Sequence, residues 1–289
     1  MRPSERFDYS PMRGRPPLRL PDGARVAVIS VVNIEHWDDE RPMPRAIIPP
    51  HGGAAPVPDV PNWAWHEYGM RVGVWRLMEL FERRAVPVTC ALNASVCLAY
   101  PELARAIRDA GWEFMGHGFT QIAAPAVEDE RAVVAKTVET IREFTGAGPR
   151  GWLGPGLGET ARTPELLVEH GIEYVCDWVA DEQPFEMHTA AGPLVSVPYS
   201  VELNDIPMML VQHHEAAEML RRVKDQFDRL YEEGADSARV MTVALHPYVS
   251  GVPHRIRYLE EAYAYMAAHE GVLFWKAEQV LDWWREARG

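Results

Sequence analysis

Apolar runs alternate along this chain with segments whose apolar residues recur at helical spacing. Four runs are nearly continuous in apolar residues, as strands buried on both faces are: residues 25–32, 86–92, 172–178 and 240–245. Three segments between them place apolar residues three or four positions apart, which predicts helices: residues 68–84, 128–144 and 216–233. Buried strands that alternate with helices predict a parallel sheet, either closed as an α/β barrel or open and doubly wound.

Polar side chains stand at the carboxyl ends of the predicted strands. Glu35 follows the first run, Asp177 lies near the end of the third, and His246 follows the last. His117 lies between two glycines after a shorter apolar strand, and glycines let the backbone turn sharply beside a ligand. Because strand ends converge on one face of a closed barrel, we expect these four residues to form one site.

The first strand also predicts which of its neighbours share a face. Side chains alternate along a strand, so Asn33 and Glu35 point to one side while Ile34 and His36 point to the other. His36 therefore has to turn away from its strand position to reach Glu35.

Two proline-rich segments fall outside this pattern. Residues 1–24 combine Pro and Arg and predict an extended N-terminal arm, followed by a single catalytic barrel domain over residues 25–289. Residues 41–66 predict a long loop whose aromatic end indicates a packed lid, and its role stays open. Both segments expose apolar surface, so we expect a homo-oligomer in which the arm packs on a neighbouring subunit.

Composition narrows the class of partner. The 289 residues are 47% hydrophobic, and the formal net charge of -13 argues against nucleic acid and favours a small molecule. No run approaches the roughly 18 apolar residues of a membrane span, and the N-terminus has no apolar run typical of a signal peptide. The cysteines show no CxxC spacing and are expected to be reduced. We therefore expect a cytoplasmic protein with no membrane partner.

The order of the motifs resembles the polysaccharide deacetylase family from residue 25 to residue 275. In that family an acidic motif ends the first strand, a His-x-x-x-His motif and a Gly/Pro-rich loop follow, and an Asp-x-Trp-like motif and a late Leu-His motif come last. The corresponding stretches here are Asn33-Ile-Glu35-His36, His117-Gly-Phe-Thr-Gln121, Trp152-Leu-Gly-Pro-Gly156, Asp177-Trp178 and Leu245-His246-Pro247. The resemblance implies an irregular (β/α)7 barrel and the chemistry of metal-assisted amidases.

Several stretches together resemble one branch of the family, which holds metal-independent allantoinase and cyclic imide hydrolase. They are the Asn-x-Glu motif, Gly-Trp-Leu-Gly-Pro-Gly, Val-Pro-Tyr-Ser with the following Glu202-Leu-Asn204-Asp205, and the stretch from His246 to Arg255. This resemblance implies hydrolytic opening of a cyclic amide, imide or ureide rather than deacetylation of a sugar. The bond broken is then a carbon-nitrogen bond other than a peptide bond.

Position 121 determines the expected metal dependence. The family's pair of histidines four residues apart implies two zinc ligands, and here the second position is Gln121. A carboxamide is a poor zinc ligand compared with imidazole, and zinc hydrolases generally use three protein ligands plus water. We therefore expect no tightly held metal. If zinc is held, its ligands are expected among Glu35, His36, His117 and Gln121.

The chemistry of ring opening suggests a role for each residue of the predicted site. Hydrolysis of a cyclic amide needs activated water, a stabiliser for the tetrahedral oxyanion and a proton for the leaving nitrogen. We assign Glu35 as the base, with a pKa raised by burial, and His246 as the acid. His117 is expected to orient water or polarise the carbonyl, and Asp177 to orient His246 or bind a substrate N–H group.

The remaining candidates are expected to bind substrate. Without a metal, Gln121 is free to hydrogen-bond the carbonyl or the attacking water, and the backbone of residues 154–156 offers donors for an oxyanion. Arg255 is either a bidentate partner for a carboxylate or ureide oxygen or part of an exposed salt bridge. The substrate-binding candidates are Gln121, Trp152, Pro155, Gly156, Trp178 and Arg255.

Two other functions stay open from the sequence. One is a metal-dependent N-deacetylase of a sugar or peptidoglycan, and the other is a deacetylase fold that has lost catalysis and serves as a binding module. The missing second histidine favours the binding module, whereas Glu35, His117 and His246 favour an enzyme.

Overall fold

One curled and mostly parallel sheet forms the centre of the molecule. The structure is a computed structural model that describes residues 1–49, 53 and 55–288, so residues 50–52 and 54 of the predicted lid loop lie outside the described residues. The strands are β1 (Val26–Ile34), β2 (Thr89–Leu92), β3 (Glu113–Gly116), β4 (Gly151–Trp152), β5 (Tyr174–Val175), β6 (Phe185–Met187), β7 (Leu194–Ser196), β8 (Arg239–Leu245) and β9 (Val272–Trp275). Their order is β6-β7-β5-β4-β3-β2-β1-β8, with β9 off this path and paired with β1, and among the described residues only the β6–β7 pair is antiparallel.

Strand β1 is the central strand. β8 pairs with it along one edge, from Val26 to Val32. On the other edge, β9 pairs with the N-terminal half of β1 and β2 pairs with its C-terminal half. Every residue of β1 is buried. Parallel strands covered on both faces are nearly continuously apolar, which is why the sequence pattern located this strand.

Helices connect most of the strands and cover the outside of the sheet. They are α1 (Val60–Tyr68), α2 (Val74–Arg83), α3 (Val96–Ala99), α4 (Pro101–Asp109), α5 (Glu130–Thr145), α6 (Thr163–Glu169), α7 (Ala217–Glu233), α8 (Pro247–Ser250), α9 (Pro253–Ala267) and α10 (Ala277–Arg288). The described residues also contain two π-helical turns, Gly69–Gly73 and Ile206–Val211, and short 3-10 turns at Pro3–Glu5, Pro21–Gly23, Ala124–Ala126 and Pro155–Leu157. This alternation confirms the predicted α/β barrel. In that same part of the chain, none of the helices has the length and apolar character needed to cross a membrane.

Alternate residues of β1 face two different cores. Even-numbered positions such as Val28 and Ile34 pack outward, against residues of α2, α7 and α9. Odd-numbered positions such as Ile29 and Val31 pack inside the barrel. Asn33 and Glu35 continue the inward face, since Glu35 contacts side chains inside the barrel and Asn33 donates to the carbonyl of Leu245 at the end of β8. The prediction that Asn33 and Glu35 point to the same side of β1 is confirmed.

An irregular segment closes the barrel between β7 and β8. The Thr242 hydroxyl donates to the carbonyl of Pro198 at 2.7 Å, and the Ala244 N–H donates to the carbonyl of Leu203 at 2.9 Å. Asn204 forms an isolated β-bridge with Ala244. The segment therefore brings residues 204 and 205 to the carboxyl end of β8 without forming a regular strand.

The predicted loop at residues 41–66 is wrong at its end, where the aromatic residues are helical. Helix α1 already begins at Val60, because the Asp59 side chain accepts a hydrogen bond from the Asn62 N–H. Pro61 lies in the first turn, where its missing N–H costs no helical hydrogen bond. The density of prolines hid this start in the sequence. The sequence pattern also failed to predict helix α9 and strand β9.

The N-terminal arm lies along the body of its own chain. Arg6 is 1% exposed, and its guanidinium donates to Glu165 at 2.6 Å and to the carbonyls of Ala161 and His188. The Phe7 ring packs against Trp178. These contacts are made within one chain, so the homo-oligomer and the packing of the arm on a neighbour stay predictions.

A buried carboxyl group lies at the opposite end of β3 from His117. Glu113 accepts hydrogen bonds from the Thr89 hydroxyl at 2.7 Å, from the Tyr174 hydroxyl and from the Glu278 N–H. Burial, together with the nearby charge of Glu278, raises the pKa of Glu113 to about 7 from its ordinary 4.5. Between pH 4.5 and about 7, Glu113 is therefore protonated in the folded protein and ionised in the unfolded chain.

We predict that Glu113→Gln flattens the pH dependence of stability. Because the folded pKa of Glu113 lies above the unfolded value, its favourable contribution is complete below pH 4.5 and is lost as the pH rises through about 7. The loss amounts to about 3 kcal/mol in the free energy of unfolding. Urea titrations at several pH values measure it, with Glu143→Gln on the exposed side of α5 as the control. Equal pH dependence in wild type and Glu113→Gln would contradict the prediction.

Candidate active site

The carboxylate of Glu35 forms the centre of a polar cluster inside the barrel. Glu35 comes directly after β1, and its side chain is 1% exposed. Its Oε2 accepts hydrogen bonds from Trp37 Nε1 at 2.7 Å and from the Tyr248 hydroxyl at 3.0 Å. Its Oε1 accepts from Gln121 Nε2 at 2.8 Å. Three donors thus hold both carboxylate oxygens in place.

Two further nitrogen groups approach Oε1 of Glu35. Arg45 Nη1 and His246 Nε2 each lie 3.6 Å from this oxygen. Burial by itself raises the pKa of Glu35, but the charge of Arg45 and the charges that His246 and His117 carry when protonated outweigh it and lower the pKa to about 2. The predicted rise is therefore wrong, because it considered burial without these neighbours. The group is a carboxylate at neutral pH.

His117 presents an unprotonated nitrogen to the same region. It follows β3, and its Nδ1 is bonded to the carbonyl oxygen of Leu153, which can only accept, so Nδ1 carries the hydrogen. Its Nε2 is buried and has no hydrogen-bond partner among the residues that the structure describes. Burial, the largest effect, lowers the pKa of His117 to about 4. The imidazole is therefore neutral at pH 7, with a lone pair free to accept a hydrogen bond.

The loop after β3 holds His117 and Gln121 in position. Gly118 has φ +71°, and a Cβ there would lie 3.1 Å from Pro155, so glycine suits this turn. The Gln121 N–H donates to the carbonyl of His36 at 3.2 Å, which ties the loop to the end of β1. Gln121 Nε2 donates to Glu35, so the Oε1 atom of Gln121 points away from Glu35. This Gln121 oxygen is buried and has no hydrogen-bond partner in the described residues.

Asp205 orients His246. The His246 Nδ1 lies 2.6 Å from Asp205 Oδ1, so the ring hydrogen stands on Nδ1 and Nε2 faces Glu35. The other oxygen, Oδ2, accepts from the His246 N–H at 2.7 Å and from the Ser250 hydroxyl at 2.6 Å. The prediction that Asp177 orients His246 is wrong. The irregular closing segment places Asp205 at the end of β8 instead.

Asp177 belongs to a separate carboxyl pair. Its Oδ1 accepts a hydrogen bond from the Gly154 N–H at 2.8 Å. The second carboxyl group of the pair is that of Glu159, which lies beside it. Burial and the charge of Glu159 raise the pKa of Asp177 well above its ordinary value, and burial raises that of Glu159 to about 7. The Gly154 N–H is therefore already used, and Pro155 has none. Of the predicted oxyanion donors at residues 154–156, the Gly156 N–H is the one that is left, and its role stays a prediction.

Four predicted substrate-binding residues have other environments. Trp152 packs in the core between the sheet and helices α5 and α6, because it lies on the outward face of β4. Gly156 is exposed at a turn. Trp178 donates through Nε1 to Glu159 and packs against the N-terminal arm. Arg255 is half-buried and donates to the carbonyl of Val249, which links α9 to α8. Of that set, Gln121 contacts Glu35, and Pro155 packs beside Gly118.

Several residues of the cluster were not predicted from the sequence. Arg45 lies on the proline-rich loop, and no periodicity places its side chain beside Glu35. Tyr248 and Asp205 belong to stretches that resemble the family branch, but spacing alone does not bring them to Glu35 or His246. His66, on α1, bonds the Glu35 carbonyl through Nε2 at 3.0 Å and stacks on Trp37. For Tyr248 and Asp205, the sequence signal was the motif that contains them, and nothing in their spacing indicated a contact with Glu35 or His246.

Comparisons with known proteins show which family and fold this chain is similar to. The family profile described as Polysaccharide deacetylase matches residues 65–175. The crystal structure of a probable polysaccharide deacetylase from Pseudomonas aeruginosa PAO1 has a TM-score of 0.86, 30% identity and 95% coverage of both chains. The crystal structure of Puue allantoinase has a TM-score of 0.86, 28% identity and the same coverage. The peptidoglycan deacetylase of Helicobacter pylori is 29% identical over 249 residues, covering 73% of this chain and 83% of that protein.

The sheet and the strand-end cluster thus define a class of protein, a hydrolase of carbon-nitrogen bonds built on an irregular (β/α)7 barrel. The predicted barrel type is confirmed. The chain belongs to the polysaccharide deacetylase family.

The residues around Glu35 do not fit a zinc ion. His117 and His246 each offer one imidazole nitrogen and Gln121 one weak amide oxygen, while both oxygens of Glu35 already accept hydrogen bonds. The Arg45 guanidinium, 3.6 Å from Glu35, repels a cation at this position. His36 turns its ring to Ser95, at 2.8 Å, as strand alternation predicted. The described part of the chain contains no group of three His, Cys, Asp or Glu side chains arranged to hold a metal.

Proposed function

We propose that this protein opens a cyclic amide, imide or ureide by adding water to a ring carbonyl, without a tightly held metal. The observation that carries the proposal is the pair of imidazoles with fixed tautomers, His117 and His246, beside the ionised Glu35. The similarity to Puue allantoinase over 95% of both chains supports the substrate class. In this proposal His246 transfers the proton, His117 orients the water and Glu35 stabilises positive charge.

His246 has the geometry to transfer protons in both directions. Its Nε2 accepts a proton from water as the water oxygen bonds to the ring carbonyl carbon, and the carbonyl π electrons move to the oxygen. When the electrons return, the carbon-nitrogen bond breaks and Nε2 passes the proton to the leaving nitrogen. Asp205 keeps Nδ1 protonated throughout, so Nε2 is the exchanging site. The products are the ring-opened carboxylic acid and a free amine or amide nitrogen.

His117 and Glu35 support this step without exchanging the proton. The buried Nε2 of His117 accepts the second hydrogen of the water and so orients its lone pair towards the carbonyl. Glu35 is a weak base with a pKa of about 2, but its charge lies 3.6 Å from His246 Nε2. It therefore stabilises the positive charge that His246 gains in the transition state.

A second candidate is an N-deacetylase of a sugar or of peptidoglycan. The similarity to the Helicobacter pylori peptidoglycan deacetylase favours it, because this chain spans most of that protein. Both reactions hydrolyse an amide, so the same groups suit either one. They differ in the substrate and in the need for a metal.

Turnover measured on two panels separates these functions. The first panel contains hydantoin, succinimide, dihydrouracil and allantoin, with ring loss followed by absorbance or by amine release. The second contains N-acetylglucosamine oligomers and peptidoglycan, with acetate release as the measurement. We expect turnover of at least one ring and none of the acetylated sugars. Acetate release without any ring opening would overturn the proposal.

We predict that dialysis against a strong chelator leaves the activity unchanged. The positive charge of Arg45 and the carboxamide of Gln121 both weaken metal binding at Glu35, so elemental analysis should find substoichiometric zinc. Activity is measured before dialysis, after dialysis and after zinc is added back. If activity falls on chelation and returns with zinc, the metal-independent assignment is wrong.

A further inference from the structure

Arg45 reaches the cluster from a loop, not from a strand end. The loop leads from β1 to α1, and Arg45 Nη1 lies 3.6 Å from Glu35 Oε1. The Arg45 side chain is 25% exposed whereas that of Glu35 is 1% exposed, so the guanidinium lies on the solvent side of the buried carboxylate. A ligand that approaches Glu35 from this side meets Arg45 first.

The side chain of Asn62 fixes the loop just beyond Arg45. Asn62 is 1% exposed, and its Oδ1 accepts from the N–H groups of Ile47 and Ile48 at 2.8 and 3.0 Å. Its Nδ2 donates to the Ile48 carbonyl and to Asp59, the residue that caps α1. Both donors and both acceptor positions of one buried amide are therefore used to hold this loop. Asn62 determines where Arg45 can reach.

The guanidinium keeps donors available. A separation of 3.6 Å from Glu35 is longer than a hydrogen bond, and Gln121 Nε2 already occupies that carboxylate oxygen at 2.8 Å. A guanidinium has five N–H donors in a planar fork that matches the lone pairs of an oxygen acceptor. Two unpartnered acceptors, His117 Nε2 and Gln121 Oε1, belong to the same cluster. Among the residues that the structure describes, the site thus combines acceptors that lack a partner with a cationic group that has more N–H donors than its neighbours use.

We propose that the Arg45 guanidinium binds the carbonyl oxygen under attack and stabilises its negative charge, with Asn62 as the positioning residue. In the tetrahedral intermediate the carbonyl π electrons rest on that oxygen, and they return to carbon as the carbon-nitrogen bond breaks. A fixed cationic donor lowers the energy of the intermediate more than that of the neutral substrate. The proposal rests on the proposed function for the reaction, but the electrostatic role of Arg45 is testable without turnover.

Kinetics of four variants test the catalytic role. Arg45→Met is expected to lower kcat by about 10²- to 10³-fold, with a change in KM of less than threefold. Arg45→Lys keeps the charge and so preserves folding, but it loses the fork and should lower kcat at least tenfold. Asn62→Ala should lower kcat with little change in KM. Arg41→Met, on the same loop and paired with Asp38 at 3.3 Å, is the matched control and should behave like wild type.

Chemical rescue and zinc binding complete the test. Methylguanidinium should restore part of the activity of Arg45→Ala but not of His246→Ala. Zinc affinity, measured by calorimetry, should be at least tenfold higher in the Arg45→Met/Gln121→His double variant than in Gln121→His alone. Arg45→Met and Arg45→Lys with more than a tenth of the wild-type kcat, or equal zinc affinities, would overturn the proposal. If wild type opens no ring, the proposed function fails, and the zinc comparison still decides whether Arg45 acts at this position.

Discussion

Glu35→Gln is expected to lower kcat by about 10²- to 10³-fold while the barrel stays folded. The change replaces a full negative charge by a dipole at the atom that lies 3.6 Å from both Arg45 and His246. The positive charge gained by His246 during proton transfer then has no counterion on its Nε2 side. Since Glu35 Oε2 accepts from Trp37 and Tyr248, the amide oxygen of glutamine takes that place, and its NH2 group faces Gln121. The loss of the Glu35 charge and the missing counterion of His246 both raise the energy of the transition state more than that of the bound substrate.

The pH profile distinguishes a charge-stabilising role from a general base. With a pKa of about 2, Glu35 is ionised throughout the range above about pH 3, so it contributes no acidic limb there. A Glu35 base with a pKa raised by burial would instead add a fall in activity below about pH 6 that is present in wild type and absent in Glu35→Gln. Glu40→Gln, the same chemical change at an exposed position of the following loop, is the control. A loss of less than tenfold in Glu35→Gln would contradict the assigned role.

The parts of the site that follow from strand geometry could be predicted from the sequence. A strand has a period of two, so the apolar run of β1 determined that Asn33 and Glu35 face the interior and that His36 does not. Parallel strands have their carboxyl ends on one side, so His117 and His246 were expected near Glu35. These inferences need only the backbone pattern of a regular element.

The electrostatics of the site could not be predicted in this way. The pKa of Glu35 depends on Arg45, whose position comes from hydrogen bonds between Asn62 and an irregular loop. Burial alone gives the wrong direction, because burial and a nearby cation shift the pKa of a carboxyl group in opposite directions. Loops have no period, so a sequence indicates their composition but not which side chain returns to the core.

The partner of His246 shows the same limit. Asp177 stands at the end of a recognisable strand and was expected to orient His246 or to bind a substrate N–H group, whereas Asp205 lies in a segment with no strand or helix period. That segment is bound to β8 by individual hydrogen bonds, such as the one from Ala244 to Leu203. Only the closed barrel shows that Asp205 reaches the end of β8. The sequence feature that carried the information was the family resemblance around Asp205, not its spacing.

Asp205→Asn is expected to lower kcat by about 10³- to 10⁴-fold. Asp205 Oδ2 accepts from two donors, the His246 N–H and the Ser250 hydroxyl, so the asparagine oxygen must take that position. The asparagine NH2 group then faces His246 Nδ1, which must give up its hydrogen and accept instead. The hydrogen of the neutral imidazole moves to Nε2, where a lone pair is needed to accept the proton of water.

Ser250→Ala separates this tautomer effect from simple loss of a hydrogen bond. It removes one donor to Asp205 Oδ2 and leaves Oδ1 on His246 Nδ1, so kcat should fall less than tenfold, with a stability cost of about 1 kcal/mol. Imidazole nitrogen chemical shifts report the tautomer directly: Nδ1–H in wild type and Ser250→Ala, and Nε2–H in Asp205→Asn. Because the shifts are measured without substrate, they test the geometry even if the substrate assignment is wrong. An unchanged tautomer in Asp205→Asn, or a loss of activity equal to that of Ser250→Ala, would show that Asp205 contributes to folding and not to the proton transfer.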